Sequence, residues 1–243
     1  MFDVSHPIIF LCLLVSFIST LLVLPKWIKR AHGAGLEGTD LHKPSKPKIA
    51  EMGGLIVVFG LIFSVLLYIA IDTFYLKHSV TETFLNRDLQ LMAALLTIVI
   101  ITIIGIVDDI LGWKIGLRQW QKPLLVALAS VPMMVINAGH STMALPVIGK
   151  VNIGIIYPLL IIPIAISGAA NGFNMLAGFN GLEAGMGIII LSALGYMAWA
   201  TDFGWVAVLA FCMVMALLAF YVYNRYPARV FPGDTLTYAV GGL

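Results

Sequence analysis

The sequence predicts an all-α fold: a polytopic transmembrane helix bundle with seven full spans and the start of an eighth, its N-terminus outside, and one small external β-hairpin. Three observations predict it, namely composition, the length of the apolar runs and the placement of the charges. Of 243 residues, 60% are hydrophobic and only 11% are charged, with a mean hydropathy of +1.01. Soluble domains carry about 25% charged residues, so a water-soluble enzyme, a disordered chain and a collagen-like chain are excluded. The formal net charge of +2 is too small to suggest a nucleic-acid partner.

Crossing a hydrocarbon core about 30 Å thick takes roughly 20 apolar helical residues. Seven stretches approach that length without a charged residue: 8–24, 52–71, 89–107, 123–137, 155–171, 184–201 and 203–223. The chain opens Met1-Phe2-Asp3, without the cationic segment or cleavage site of a signal peptide, so the first run is expected to be a retained span. The fourth contains Pro132 and the fifth Pro158 and Pro163. Both are expected to be kinked and packed inside the bundle, where neighbours can satisfy the freed backbone groups. Cys12 and Cys212 lie within apolar runs as small hydrophobes and imply no disulfide. An eighth apolar run begins at Thr235 and stops at Leu243, so the chain reads as truncated at its C-terminus.

Basic residues in short loops set orientation. Lys26, Lys29, Arg30, Lys43, Lys46, Lys48, Lys114, Arg118, Lys122, Arg225 and Arg229 follow spans one, three, five and seven. Only Lys77, Arg87 and Lys150 follow spans two, four and six. The first set is therefore expected in the cytoplasm. Among the outer loops, 73–88 has aromatics suited to the membrane interface. Between Ala144 and Ile153 two apolar runs flank Gly149-Lys150, a pair that fits a type II′ hairpin turn. With no repeat or linker, residues 1–243 read as one membrane domain whose cytoplasmic loops 25–51, 108–122, 172–183 and 224–234 form the active site.

No charge falls within the seven runs, which removes the usual signature of a transporter. The polar chemistry lies instead in four clusters on the expected cytoplasmic side. Asp108-Asp109 closes the third run, where two carboxylates oppose the helix dipole and repel each other, so something cationic should offset them unless they are simply solvated. The segment from Asn171 to Gly185 is rich in glycine and amides. Asn171 and Asn174 share a face if the helix reaches them, although an ordinary turn has the same composition. Asp234, in Phe231-Pro232-Gly233-Asp234-Thr235, precedes an apolar run and could be a helix N-cap, a metal ligand or both. The loop Leu41 to Gly54, with prolines around Lys43, Lys46 and Lys48, suits an anionic substrate. Acidic and amide oxygens for a hard cation, beside lysines and glycines for phosphate, describe a magnesium-dependent phosphoryl-transfer site.

Asp108-Asp109, the Asn-x-x-Asn run ending Asn180-Gly181-Leu182-Glu183-Ala184-Gly185, and the Gly233-Asp234-Thr235 motif, in this order, resemble the polyprenyl-phosphate N-acetylhexosamine-1-phosphate transferases. The stretch Met175 to Gly185 is most similar to the eukaryotic and archaeal branch, which transfers GlcNAc-1-phosphate from UDP-GlcNAc to dolichyl phosphate. Bacterial branches usually carry Asp where this chain has Ala177 and Asn180. The resemblance implies Mg2+, with Mn2+ as a substitute, held by Asn174 and Asp234. Asp108, Asp109, Asp234 and Lys122 are implied as catalytic, the aspartate pair near the acceptor phosphate and Lys122 near the donor pyrophosphate. Glu51, Asn171, Asn180, Gly181, Leu182 and Glu183 are implied as substrate-binding. The implied partners are a UDP-sugar, a polyprenyl or dolichyl phosphate and the bilayer, and a homodimer is compatible with them. The cell membrane is the expected location, or the endoplasmic reticulum in a eukaryote. A bacterial-type undecaprenyl-phosphate transferase and, more remotely, a transporter subunit are the alternatives. The family pattern has ten spans and a later loop of Arg and His residues, beyond the end of this chain.

Overall fold

Backbone amides find no partner in lipid, so each apolar run satisfies them internally by becoming a helix. The computed structural model describes residues 7–41, 43–75, 82–145 and 147–243, and for 82–86 and 113–115 it describes the backbone alone. In chain order the elements are α1 (Pro7–Ala34), β1 (Glu37–Thr39), β2 (Lys48–Ala50), α2 (Gly54–Phe74), α3 (Glu82–Ile115), α4 (Gln121–Ala129), α5 (Val131–Ile136), β3 (Thr142–Leu145) and β4 (Gly149–Asn152). A π-helical turn, Tyr157–Ile161, then leads into α6 (Ile162–Met175), followed by α7 (Leu182–Ala200), α8 (Gly204–Asn224) and α9 (Gly233–Gly241). Among the described residues, six helices are long and apolar enough to cross a membrane: α1, α2, α3 over Arg87–Gly112, the π-turn with α6, α7 and α8. That marks the chain as an integral membrane protein.

The expected fourth span, 123–137, is two short helices. Pro132 has no N–H with which to continue the α4 ladder, and Ser130 closes α4 by donating its hydroxyl to the Ala127 carbonyl at 2.6 Å. The prolines of the fifth run act differently. The wider turn at Tyr157–Ile161 comes just ahead of Pro163, which lacks the N–H that would bond back to Leu159. The expected hairpin is present, but Leu145 pairs with Gly149 and Ala144 with Lys150, so Gly149-Lys150 belongs to the second strand and not to the turn. A second hairpin, β1 with β2, is one that alternation did not reveal in so polar a loop.

α8 is the most enclosed span and packs against α1, α2 and α7. Ala184, Gly187, Gly195 and Ala198 line the buried side of α7 beside Leu191, small residues that let two backbones approach where lipid supplies no hydrophobic drive. The Ser16 hydroxyl donates to the Cys212 carbonyl at 2.7 Å and ties α1 to α8. At the end away from the site, α2 runs past its expected limit to include Asp72, which is buried and ion-paired with Arg87 of α3. Arg87 also donates to Asp88 at 2.9 and 3.0 Å, so one guanidinium serves both carboxylates here.

The short α9 sets the geometry of the site. It is wedged among α2, α3 and α6, and it gets there because Gly54 and Gly105 bring the α2 and α3 backbones against it. A Cβ on Gly105 would stand 2.7 Å from the Thr235 Cα and 2.8 Å from the Asp234 carbonyl oxygen.

Candidate active site

Four polar segments distant in sequence meet at the end of the bundle where α1, α3, α6 and α8 finish. Residues 50–54 and 230–232 are laced together. Phe231 N–H donates to the Ala50 carbonyl at 2.7 Å, Gly53 to Phe231 at 2.9 Å and Gly54 to Pro232 at 3.0 Å. The Trp27 indole donates to the Glu51 carbonyl at 3.0 Å, which anchors this seam to α1.

The two aspartates of α3 have different offsets. Asp109 accepts the backbone N–H of Asp234 at 2.8 Å and that of Thr235 at 3.0 Å, plus the Thr235 hydroxyl at 2.6 Å. It therefore caps α9 from another helix, its charge facing the positive end of that helix dipole. Asp108 accepts the Leu117 N–H at 2.8 Å and is ion-paired with Lys122, in the first turn of α4. The expected cation is thus a lysine for Asp108 and a helix N-terminus for Asp109.

Asp234 is not a cap. The N-cap of α9 is Pro232, and Asp234 sits inside the first turn with its side chain turned elsewhere. Lys122 donates to its Oδ2 at 3.1 Å. Burial and the adjacent Asp108 carboxyl push the Asp234 carboxyl up to about 7, the Lys122 charge opposing them. Burial works against the Lys122 ammonium, but Asp108 and Asp234 together hold it well above the ordinary lysine value. Asn174 lies in the last turn of α6, where its Oδ1 accepts the Thr237 hydroxyl at 2.7 Å.

Asn174, Gly178, Asn180, Glu183, Asn224 and Asp234 are among the residues lining one cavity of about 320 Å3, closed on one side by Thr39, Asp40 and Leu41 of the first loop. The turn after α6 contributes Ala177, Gly178, Phe179 and Asn180 to its lining. Gly178 and Gly181 have φ of 155° and 80°, conformations that favour glycine. Gly178 N–H donates to Glu183 Oε1 at 2.7 Å and Gly181 N–H to Asn224 Oδ1 at 3.1 Å. Asn224 Nδ2 donates in turn to the Val230 carbonyl at 2.9 Å, joining the turn to the segment before α9.

Of the residues singled out in the sequence, the cavity wall thus includes Asn174, Asn180, Glu183 and Asp234. Lys122 and Asp108 stand behind Asp234. Asn171 is on the helix as expected, but its amide donates to the Ser167 carbonyl at 2.8 Å, one turn back in α6. Gly181 and Leu182 are not among the lining residues; Gly181 shapes the turn and Leu182 begins α7. Glu51 is half-buried beside Gly38 and Phe231 and does not line the cavity; burial and the Asp109 charge raise its pKa. Asp40 and Asn224 are wall residues that the sequence did not single out. Asp40 reads there as one more polar loop residue, and Asn224 as the end of a span.

Asp234 and Asn174 are the oxygen donors that a metal ion could use here. Asp234 offers a carboxylate and Asn174 an amide oxygen in the same cavity, and among the described residues no group of three or more His, Cys, Asp or Glu is gathered that could hold a metal ion. A hard cation that takes one or two protein oxygens and fills its other positions with water and substrate phosphate fits such a sparse set.

The sequence model for glycosyl transferase family 4 matches residues 91–243. A Saccharolobus solfataricus protein provisionally named UDP-N-acetylglucosamine–dolichyl-phosphate N-acetylglucosaminephosphotransferase is 36% identical over 97% of this chain and 69% of its own length. A Sulfolobus acidocaldarius protein of the same provisional name is 31% identical over 97% of this chain and 69% of its own. The phospho-N-acetylmuramoyl-pentapeptide-transferase of Halalkalibacterium halodurans is 30% identical over 97% and 72%. On these matches, and with the motif residues gathered at one end of the bundle, the chain belongs to glycosyl transferase family 4.

Proposed function

We propose that this protein transfers N-acetylglucosamine-1-phosphate from UDP-GlcNAc to a membrane polyprenyl phosphate of the dolichyl type and releases UMP. The observation that carries the reading is that Asp234, which lines one cavity with Asn174 and the glycine-bearing turn after α6, is joined to Lys122 and through it to Asp108. The activity named for the archaeal relatives agrees with it. In the transfer, an acceptor phosphate oxygen forms a bond to the sugar-linked phosphorus of the donor, and the bond from that phosphorus to the UMP oxygen breaks.

A lipid monophosphate has a second pKa of about 6 and is largely dianionic at neutral pH, so attack needs no strong base. Asp109 spends its oxygens on three donors of α9, which supports a positioning role for it. Lys122 supplies positive charge toward the donor diphosphate and keeps Asp108 and Asp234 in place. Asn174 and Asp234 would hold Mg2+, which when bound neutralises phosphate charge and the charge that develops on the leaving group. Family relatives on the bacterial side use another lipid and sugar, so the test runs both. Radiolabelled UDP-GlcNAc is supplied to the membrane-embedded protein with dolichyl and undecaprenyl phosphates in parallel, with and without magnesium. Label in the dolichyl-linked product only when magnesium is present is expected. No transfer to either lipid, or transfer unaffected by chelation, would overturn the proposal.

A further inference from the structure

Asp40 follows β1, where the first loop turns over the cavity, and is only 2% exposed. Lys43 Nζ is ion-paired with its Oδ2 at 3.0 Å, and Asn180 Nδ2 donates to the same oxygen at 3.1 Å. The Lys43 ammonium also stands 5.3 Å from the centre of the Tyr226 ring, so the loops after α1, α6 and α8 meet at this one carboxylate. A carboxylate paired with an ammonium is an acceptor only. Asn180 must therefore turn its NH2 toward Asp40, and no described residue hydrogen-bonds its remaining polar atom, Oδ1. Both Asp40 and Asn180 line the cavity.

We propose that Asp40 is a positioning residue for donor recognition: by pinning the Asn180 NH2 it leaves the Asn180 carbonyl oxygen as the acceptor that this wall of the cavity offers. Such an acceptor takes up a ligand N–H or O–H group and not a phosphate, which the Lys122 ammonium attracts instead. Resting on the function proposed above, this acceptor selects a nucleoside or sugar hydroxyl or amide group of a nucleotide-sugar.

The test uses the full chain in nanodiscs and compares it with Asp40→Asn, Asn180→Asp and the double swap Asp40→Asn/Asn180→Asp. The first lets the Asn180 amide flip, and the second sets two carboxylates against each other. The swap regenerates an amide-to-carboxylate bond with an acceptor still on the cavity side. Each single variant is expected to raise the KM for UDP-GlcNAc about tenfold, beyond any fall in kcat, and the swap to recover most of it. Hydrogen exchange of the 176–185 backbone, measured without any ligand, should quicken in the single variants and slow again in the swap. A swap no better than the singles, a loss confined to kcat, or unaltered exchange would each overturn the proposal. Should the wild type transfer nothing from UDP-GlcNAc, the functional reading fails, while the exchange result still decides whether Asp40 holds the turn.

Discussion

A carboxylate has about four acceptor sites, and Asp109 commits three of them to α9, two on backbone N–H groups that would otherwise be orphaned at a helix start. Replacing it with alanine, Asp109→Ala, is expected to cost about 1–2 kcal/mol, the scale of a lost N-cap, seen as a lower thermal midpoint of the purified protein together with reduced turnover. Because the role is structural, Asp109→Asn should be slower yet keep the acidic limb of its rate against pH. Loss of that limb would show Asp109 to be a base. Glu51 allows a sign to be worked out. Burial, then the Asp109 charge, raise its pKa in the folded state above the ordinary carboxyl value. At about pH 4 and below both folded and unfolded chains hold the proton, and Glu51 has no pH-dependent effect. As pH rises the unfolded chain ionises first, so the folded state loses relative stability until Glu51 ionises too, and the deficit persists at higher pH. Glu51→Gln should therefore raise the thermal midpoint at pH 8, measured with EDTA, and leave it nearly unchanged at pH 4. An equal shift at both would mean packing, not charge, is responsible.

At the scale of elements, α9 is the component that its neighbours position, by close backbone contact at Gly54 and Gly105 as well as by the Asp109 and Asn174 side chains. Gly105→Ala would drive a methyl group to within 2.7 Å of the Thr235 Cα, and a helix backbone cannot rotate out of the way as a side chain can. Overpacking of this kind costs about 1–3 kcal/mol, and here it displaces Asp234, so turnover should fall more than tenfold. Gly168→Ala, on α6 with nothing within 4 Å of the added atom, is the control and should keep full activity and stability. Full turnover in Gly105→Ala would mean that α9 is not fixed by this contact. The same elements explain what could be read from the chain. The spans and the Asn171 to Asn174 helix were legible because apolar length and helical spacing are local properties. Pro132 was visible too, but whether a proline kinks a span or divides it depends on whether neighbours can bond the freed carbonyl. The cap of α9 was not legible, since Asp109 and Asp234 are 125 residues apart and only the close approach at Gly105 brings them together. Asp40 was missed for a similar reason: its meaning comes from Asn180, 140 residues away.

The whole molecule has two unlike ends. Where α1, α3, α6 and α8 finish, acidic, amide and basic groups are drawn into the cavity and its seam; at the other end Asp72 and Asp88 are both ion-paired with Arg87. Eleven of the 14 basic residues belong to the first end. Lysines and arginines in short loops stay on the cytoplasmic side during insertion, so the site should face the cytoplasm, where nucleotide-sugars are made available, and α1 should enter from outside. Both native cysteines, Cys12 and Cys212, are fully buried in helices, which keeps the background for thiol labelling low. Single cysteines at exposed positions then report the topology of intact cells. Asp202→Cys, between α7 and α8, should react with a membrane-impermeant maleimide added outside, whereas Ser45→Cys and Arg118→Cys should react only after permeabilisation. The reverse pattern would place the cavity on the external face. The donor would then have to be supplied there, and a cytoplasmic UDP-sugar transferase would no longer be tenable. Labelling of Ser141→Cys beside β3 from outside would further show that the β3–β4 hairpin lies opposite the cavity, as the alternating direction of the helices requires.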